Sequence, residues 1–340
     1  SSKLSNLSLQ LYGIMLKTGY VKSDSEYKHI DDYFNKHISK FDENKFGFRE
    51  KYWYYNAYLW RSFLVQDFLS CYKYAHKWVT LFYDNKNMIY LNPVFFLKGN
   101  HYLLESLFML KYMSNFKKYL ELLEETINDP QFPVNDNISS LSFLYVYNNK
   151  LNYHILEGTF EESEYLIPVV LDKIKLHSEH LDEHHEMLFY YKIASIYFGT
   201  EKYTECIFYL EKIINNKNLY VREDLACFAR LLCLIAHYES GKDFNLENQL
   251  KSTYTFLIKM NDLHEVQKEI IRFLKKLNSI YPSDIKKEFI KVKERFIELE
   301  KNKYEKRAFL YLDIISWLES KIENRKISDI IKEKAKLNNR

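Results

Sequence analysis

The residues best suited to chemistry lie in the run HSEHLDEHHE, which carries His177, His180, His184 and His185. Imidazole nitrogen is a common zinc ligand, and His180 and His184, four apart, would share one face of a helix. A zinc site needs three or four converging ligands, so His177 or Glu183 would have to supply another. His177, His180 and His184 are the metal-ligating candidates on these grounds. The run is strongly polar and lies between two helical patterns, which makes a solvated linker the default reading. No HExxH, G-x-S-x-G, P-loop or G-x-G-x-x-G is present. Seven scattered glycines in 340 residues are poor material for a phosphate-cradling loop. The carboxylate pairs Glu124-Glu125 and Glu161-Glu162 read as surface charge. The sequence thus points to a protein that is not an enzyme and implies no cofactor.

The framework that would carry these residues is helical. The composition is globular, 47% hydrophobic and 28% charged, while seven glycines and five prolines leave little material for the tight turns of a β-protein. The 30 Tyr and 24 Phe, with abundant Lys, Asn and Ile, read as nucleotide bias before any stacking function. Cys71, Cys206, Cys227 and Cys233 form no CxxC pair and lie within apolar helical patterns, as small buried hydrophobes do. Ser1 to Gln10 lacks a basic stretch followed by an apolar core, so no targeting signal is expected there. The most apolar run, Leu225 to Ala236, is short and broken by Arg230, too little to span a bilayer. A soluble, cytoplasmic protein is expected.

The stretch Met187 to Asn218 organises the reading. Apolar residues fall at Tyr190, Ile193, Ala194 and Tyr197, then at Tyr203, Cys206, Ile207, Leu210 and Ile213, the spacing of two short helices facing a partner. Gly199 and Thr200 interrupt the pattern, and so short a break makes the helices antiparallel neighbours. Ala194 and Cys206 are small where the two axes would approach most closely. Here the chain resembles the tetratricopeptide repeat family, with Tyr190, Ile193, Ala194 and Tyr197 on the first helix and Tyr203, Cys206, Leu210 and Ile213 on the second. Glu201 stands where that family has its turn glycine. More widely, LYGIMLKTGYV (Leu11 to Val21), YAHKWVTLF (Tyr74 to Phe82), FYYKIASIYFG (Phe189 to Gly199) and RAFLYLDIISWLESKIE (Arg307 to Glu323) resemble a group of tetratricopeptide-like proteins of Bacteroidetes-type bacteria. The resemblance implies architecture and supplies no mechanism.

A polar residue followed by an aromatic one recurs at Asp67-Phe68, Asn115-Phe116, Thr159-Phe160, Lys202-Tyr203 and Asp243-Phe244, with the aromatics 48, 44, 43 and 41 residues apart. That is longer than the 34 residues of a standard tetratricopeptide repeat. The expected fold is all-α: a right-handed solenoid of about five such hairpins over residues 46–260, with capping helices at 1–45 and 261–340. Pro93 should open a helix at its first turn, Pro168 should kink or restart one, and Asn128 to Asn137 should be a loop. Leu263 to Ile280, Ser283 to Leu299 and Tyr304 to Lys321 read as three further helices.

In tetratricopeptide proteins, first-helix residues not packed within the hairpin line a concave groove for peptides. By alignment those positions are Asn56 and Trp60, then Asn148, Asn149 and Asn152, then Tyr191, Lys192 and Ser195. Asn can bond both donors and acceptors of an extended chain, and Trp and Tyr supply contact area. Water or an adjoining helix would serve the same residues equally well. The expected function is a protein-binding scaffold. The alternative is a nucleic-acid-associated protein: residues 263–340 hold 20 Lys and Arg against 13 Asp and Glu, a balance of +7, leaving −4 for the remainder of a chain whose net charge is +3. Acidic residues are interleaved throughout that region, as on a helix surface laced with ion pairs.

Overall fold

The computed structural model describes residues 2–216, 223–241, 246–259, 265–277, 280, 281 and 283–338. Every regular element among them is helical. The chain divides into two compact units, Ser1–Asn149 and Lys150–Arg340, with the division falling inside one helix, α8.

The first unit holds α1 (Ser2–Thr18), α2 (Asp24–Ile38), α3 (Phe48–Leu64), α4 (Phe68–Tyr83), the short α5 (Asn87–Leu91), α6 (Pro93–Leu110), α7 (Met113–Ile127) and the start of α8 (Asp136–Glu157). Helix α3 packs against both α1 and α4, and α4 packs in turn on α6. Arg61 of α3 pairs with Asp31 of α2. Glu43 accepts hydrogen bonds from Tyr55 (2.7 Å) and Lys77 (2.9 Å), which ties the segment after α2 to α3 and α4. Pro93 stands at the first position of α6, where its missing N–H costs nothing, and the expected loop spans residues 128–135, with Asp136 and Asn137 already in α8.

The second unit holds the rest of α8, then α9 (Phe160–Ser163), α10 (Leu166–Leu176), α11 (Glu183–Gly199), α12 (Tyr203–Ile214), α13 (Glu223–Glu239), α14 (Leu246–Lys259), α15 (Glu265–Leu277), α16 (Ile285–Glu300), α17 (Ala308–Tyr311), α18 (Ile314–Glu323) and α19 (Ile327–Asn338). From α11 to α16 each helix packs on the next, and α18 joins α16 to α19. The chain restarts after Glu164 and Tyr165, with Pro168 in the first turn of α10, as expected of that proline. The stretch Tyr304 to Lys321 departs from its single-helix reading. Leu312 is extended, and Asp313 caps a new helix by accepting from the Ser316 N–H (3.0 Å).

One backbone device recurs at the hairpin turns. Gln66, Lys111, Gly158 and Glu201 all adopt the left-handed conformation, with φ of 58°, 56°, 71° and 62°. The residue after each donates its N–H five residues back: Asp67 to the Ser62 carbonyl (2.9 Å), Tyr112 to Leu107 (3.0 Å), Thr159 to His154 (3.0 Å) and Lys202 to Tyr197 (2.8 Å). This is the Schellman closure, which satisfies carbonyls that a helix end leaves unpaired. Gly241 is also left-handed, at 64°. The five positions lie 45, 47, 43 and 40 residues apart.

These turns correct two readings. Helix α7 begins at Met113, two residues after Lys111, so Asn115-Phe116 lies inside the helix and Met113 is the counterpart of Phe68, Phe160 and Tyr203. The mark Asp243-Phe244 lies outside the described residues. Gly199 does not make the turn; it ends α11, and a Cβ there would collide with the ring of Phe160, so its role is close packing. Glu201 takes the left-handed position instead.

Gly158 combines both demands. A Cβ there would stand 2.8 Å from the Ser328 carbonyl oxygen and 3.0 Å from the Lys332 nitrogen, because α19 returns to this turn. Lys326 and Lys332 reinforce the return with ion pairs to Glu161 and Glu162, both 3.5 Å. Gly158→Ala is therefore expected to destabilise the protein by roughly 2–4 kcal/mol, the left-handed penalty adding to overpacking. Glu201→Gly, at the same position of an open turn, should lose nothing. Urea unfolding of both variants checks this; equal losses would contradict it.

Candidate functional site

Counting back from the left-handed residue places the candidates in rows. Ten residues before it stand Asn56, His101, Asn148 and Tyr191; nine before, Ala57, Tyr102, Asn149 and Lys192; six before, Trp60, Glu105, Asn152 and Ser195. The sequence reading missed His101, Tyr102 and Glu105, because the mark at Phe116 shifts that hairpin by three residues. The left-handed turn is the signal that restores them.

In the first unit the row is partly roofed. The Ser8 hydroxyl of α1 donates to Asn56 Oδ1 (2.6 Å), and Trp60 lies between Tyr12 (ring centroids 4.7 Å) and Tyr102 (5.1 Å, edge-on). Asn149 gives its amide N–H to the Tyr145 carbonyl (2.7 Å). His101 stacks on Tyr145 at 4.5 Å and 12°, with its Nε2 3.7 Å from Glu105. Burial pushes the Tyr145 phenol up to about 12, helped by Tyr12 and Glu105, and holds Tyr102 well above the usual range, so both phenols stay neutral. In the second unit Lys192 donates to Asn152 Oδ1, and the Ser195 hydroxyl donates to the Tyr191 carbonyl (2.9 Å).

Burial divides the candidates. Asn56, Trp60, Asn149, Asn152 and Tyr191 are only 1–7% exposed, whereas Asn148, Lys192 and Ser195 remain partly open. Asn56, Trp60 and Asn152 use their amides and rings on adjoining helices, the role weighed beside the groove, while Asn149 bonds back within α8. His101 and Glu105 keep 25% and 33% of their side-chain surface. The rows can still offer a partner His101, Glu105 and Asn148 on the first unit, and Lys192 and Ser195 on the second.

The histidine run is split by a helix start. His177 caps the end of α10, His180 lies in the following turn, and His184 lies in the first turn of α11, which begins at Glu183. His180 and His184 therefore share no helix face. Asp182 accounts for the boundary: it accepts from the His185 N–H (2.9 Å) and contacts His185 Nδ1 (2.6 Å). Burial raises the Asp182 carboxyl, but the bonds from His185 outweigh that and hold it below the usual range. Among the described residues no three His, Cys, Asp or Glu side chains are grouped to hold a metal. All four cysteines are buried thiols. No described helix is long and apolar enough to cross a membrane.

No family model, curated protein or solved structure matches the chain. The tetratricopeptide resemblance accordingly rests on the residues quoted for it.

Trp60→Ala should lower stability by about 3–5 kcal/mol, the usual cost of emptying a buried aromatic site. Asn148→Ala, half open and away from those contacts, should stay within about 0.5 kcal/mol of wild type. Urea unfolding monitored by circular dichroism checks the pair, and a neutral Trp60→Ala would contradict the roofed row.

Proposed function

We propose that the protein is a non-enzymatic scaffold, a right-handed solenoid of about five tetratricopeptide-like hairpins that binds a peptide or protein partner along its first helices. The observation that carries this reading is the closed left-handed turn that recurs at Gln66, Lys111, Gly158 and Glu201, 43–47 residues apart; the same closure at Asn324 ends α18 outside that spacing. A fixed turn fixes the phase of each first helix, so equivalent side chains take the same position in each hairpin, and aligned positions of this kind are how helical repeats make extended binding surfaces. The half-open members His101, Glu105 and Asn148 bring donors, acceptors and a carboxylate suited to the backbone and side chains of an extended peptide. The buried members Trp60, Asn149 and Tyr191 hold the backbone beneath them rigid, which lowers the entropic cost of binding.

A triple variant, His101→Ala/Glu105→Ala/Asn148→Ala, tests this without disturbing the core. Affinity capture from native extract with wild type should retain a defined protein. The variant, checked for an unchanged melting profile, should lose that protein at least five-fold, as when a binding row contributes more than about 1 kcal/mol. Equal retention by the folded variant would overturn the assignment of the row.

A further inference from the structure

Helix α15 is sharply two-faced. Val266, Ile270, Phe273, Leu274 and Leu277 are buried, while Lys268, Arg272 and Lys275, at i, i+4 and i+7, line the opposite side. Across from them stands Tyr254 of α14, 41% exposed. Together with Ile271 these four residues line a cleft of about 300 Å³, and no carboxylate is among the described residues that line it. This volume lies at the lower end of small-ligand pockets.

The cations are positioned yet weakly committed. Lys268 and Arg272 each pair with a carboxylate one turn back, Glu265 and Glu269, at 2.6 Å. Arg272 is 64% exposed, so its pair contributes little and its head group can turn toward a ligand at small cost. Lys275 has no carboxylate partner among the described residues; its Nζ sits 4.4 Å from the centroid of the Tyr254 ring. Three donors beside a part-exposed aromatic ring, whose face Lys275 covers until it turns to a phosphate, form the combination that serves both halves of a nucleotide. Cations take the phosphate oxygens, and the ring surface takes a base. An acidic peptide would use the cations and leave the ring idle.

We infer that the cleft between α14 and α15 binds a nucleotide phosphate, held by Lys268, Arg272 and Lys275 with its base against Tyr254. The nucleotide can be free or part of a single strand, and the chemistry at the cleft is the same. The test uses the full chain at low salt, with a fluorescein-labelled oligouridylate followed by anisotropy and uridine monophosphate followed by calorimetry.

Binding of either probe supports the site, and the probe that binds identifies the source. Lys268→Ala/Arg272→Ala/Lys275→Ala should weaken that binding at least ten-fold, and Lys275→Glu alone should act in the same direction. Tyr254→Ala should cost about five-fold or more, the lower end of base stacking. With the strand, each cation removed should lower the salt slope by about one. Lys301→Ala, an exposed cation at the end of α16, should bind as wild type. The inference is overturned if neither probe binds, if the Tyr254 and triple variants bind as wild type while folded, or if a polyglutamate peptide binds as tightly as the nucleotides.

Discussion

The hairpins depend on one hydrogen bond repeated in sequence, from the residue after a left-handed position to the carbonyl five residues back. A helix end leaves carbonyls without partners, and a buried carbonyl left unpaired costs on the order of 1–3 kcal/mol. The closure at Asp67, Tyr112, Thr159 and Lys202 removes that cost, and the next helix starts one residue later. So short a link leaves almost no freedom in how the second helix returns. The fourth residue of each second helix is then driven inward, and Cys71, Phe116, Ser163 and Cys206 are all fully buried.

From that register follow both the core and the surface. Side chains six and nine residues before the turn meet across adjoining helices at two places, Trp60 with Tyr102 and Asn152 with Lys192, the same two row positions in two different hairpins. Where α1 lies over α3 the row is closed; at His101, Glu105 and Asn148 it stays half open. In the second unit the last helix comes back to Gly158 at the opening turn. Trp317 of α18 gives its Nε1–H to Glu239 of α13 (2.6 Å), fixing the C-terminal helices to the body of that unit. The final helices thus interlock with earlier ones.

Much of this was legible in the residues. Few glycines and prolines and a three-and-four apolar spacing identify an all-helical chain, and the pattern from Tyr190 to Ile213 places α11 and α12 closely. What failed did so for physical reasons. Lys111 adopts a left-handed backbone without a glycine's signature, so nothing local marks the turn before α7. Asp313 and Asp182 act as helix caps inside stretches whose apolar or histidine spacing runs across them. The burial of Asn56 depends on Ser8, 48 residues away, and the demand on Gly158 depends on α19. No window of sequence contains either pair.

Native-state hydrogen exchange at the amides of Asp67, Tyr112, Thr159 and Lys202 tests the role of the turns most directly. All four lie outside the helices they close, so loop amides would exchange at near-unprotected rates. If the closures organise the hairpins, these four amides will be protected as strongly as the interiors of the helices on either side, and will open with them. Rapid exchange at these amides while the flanking helices stay protected would contradict the account.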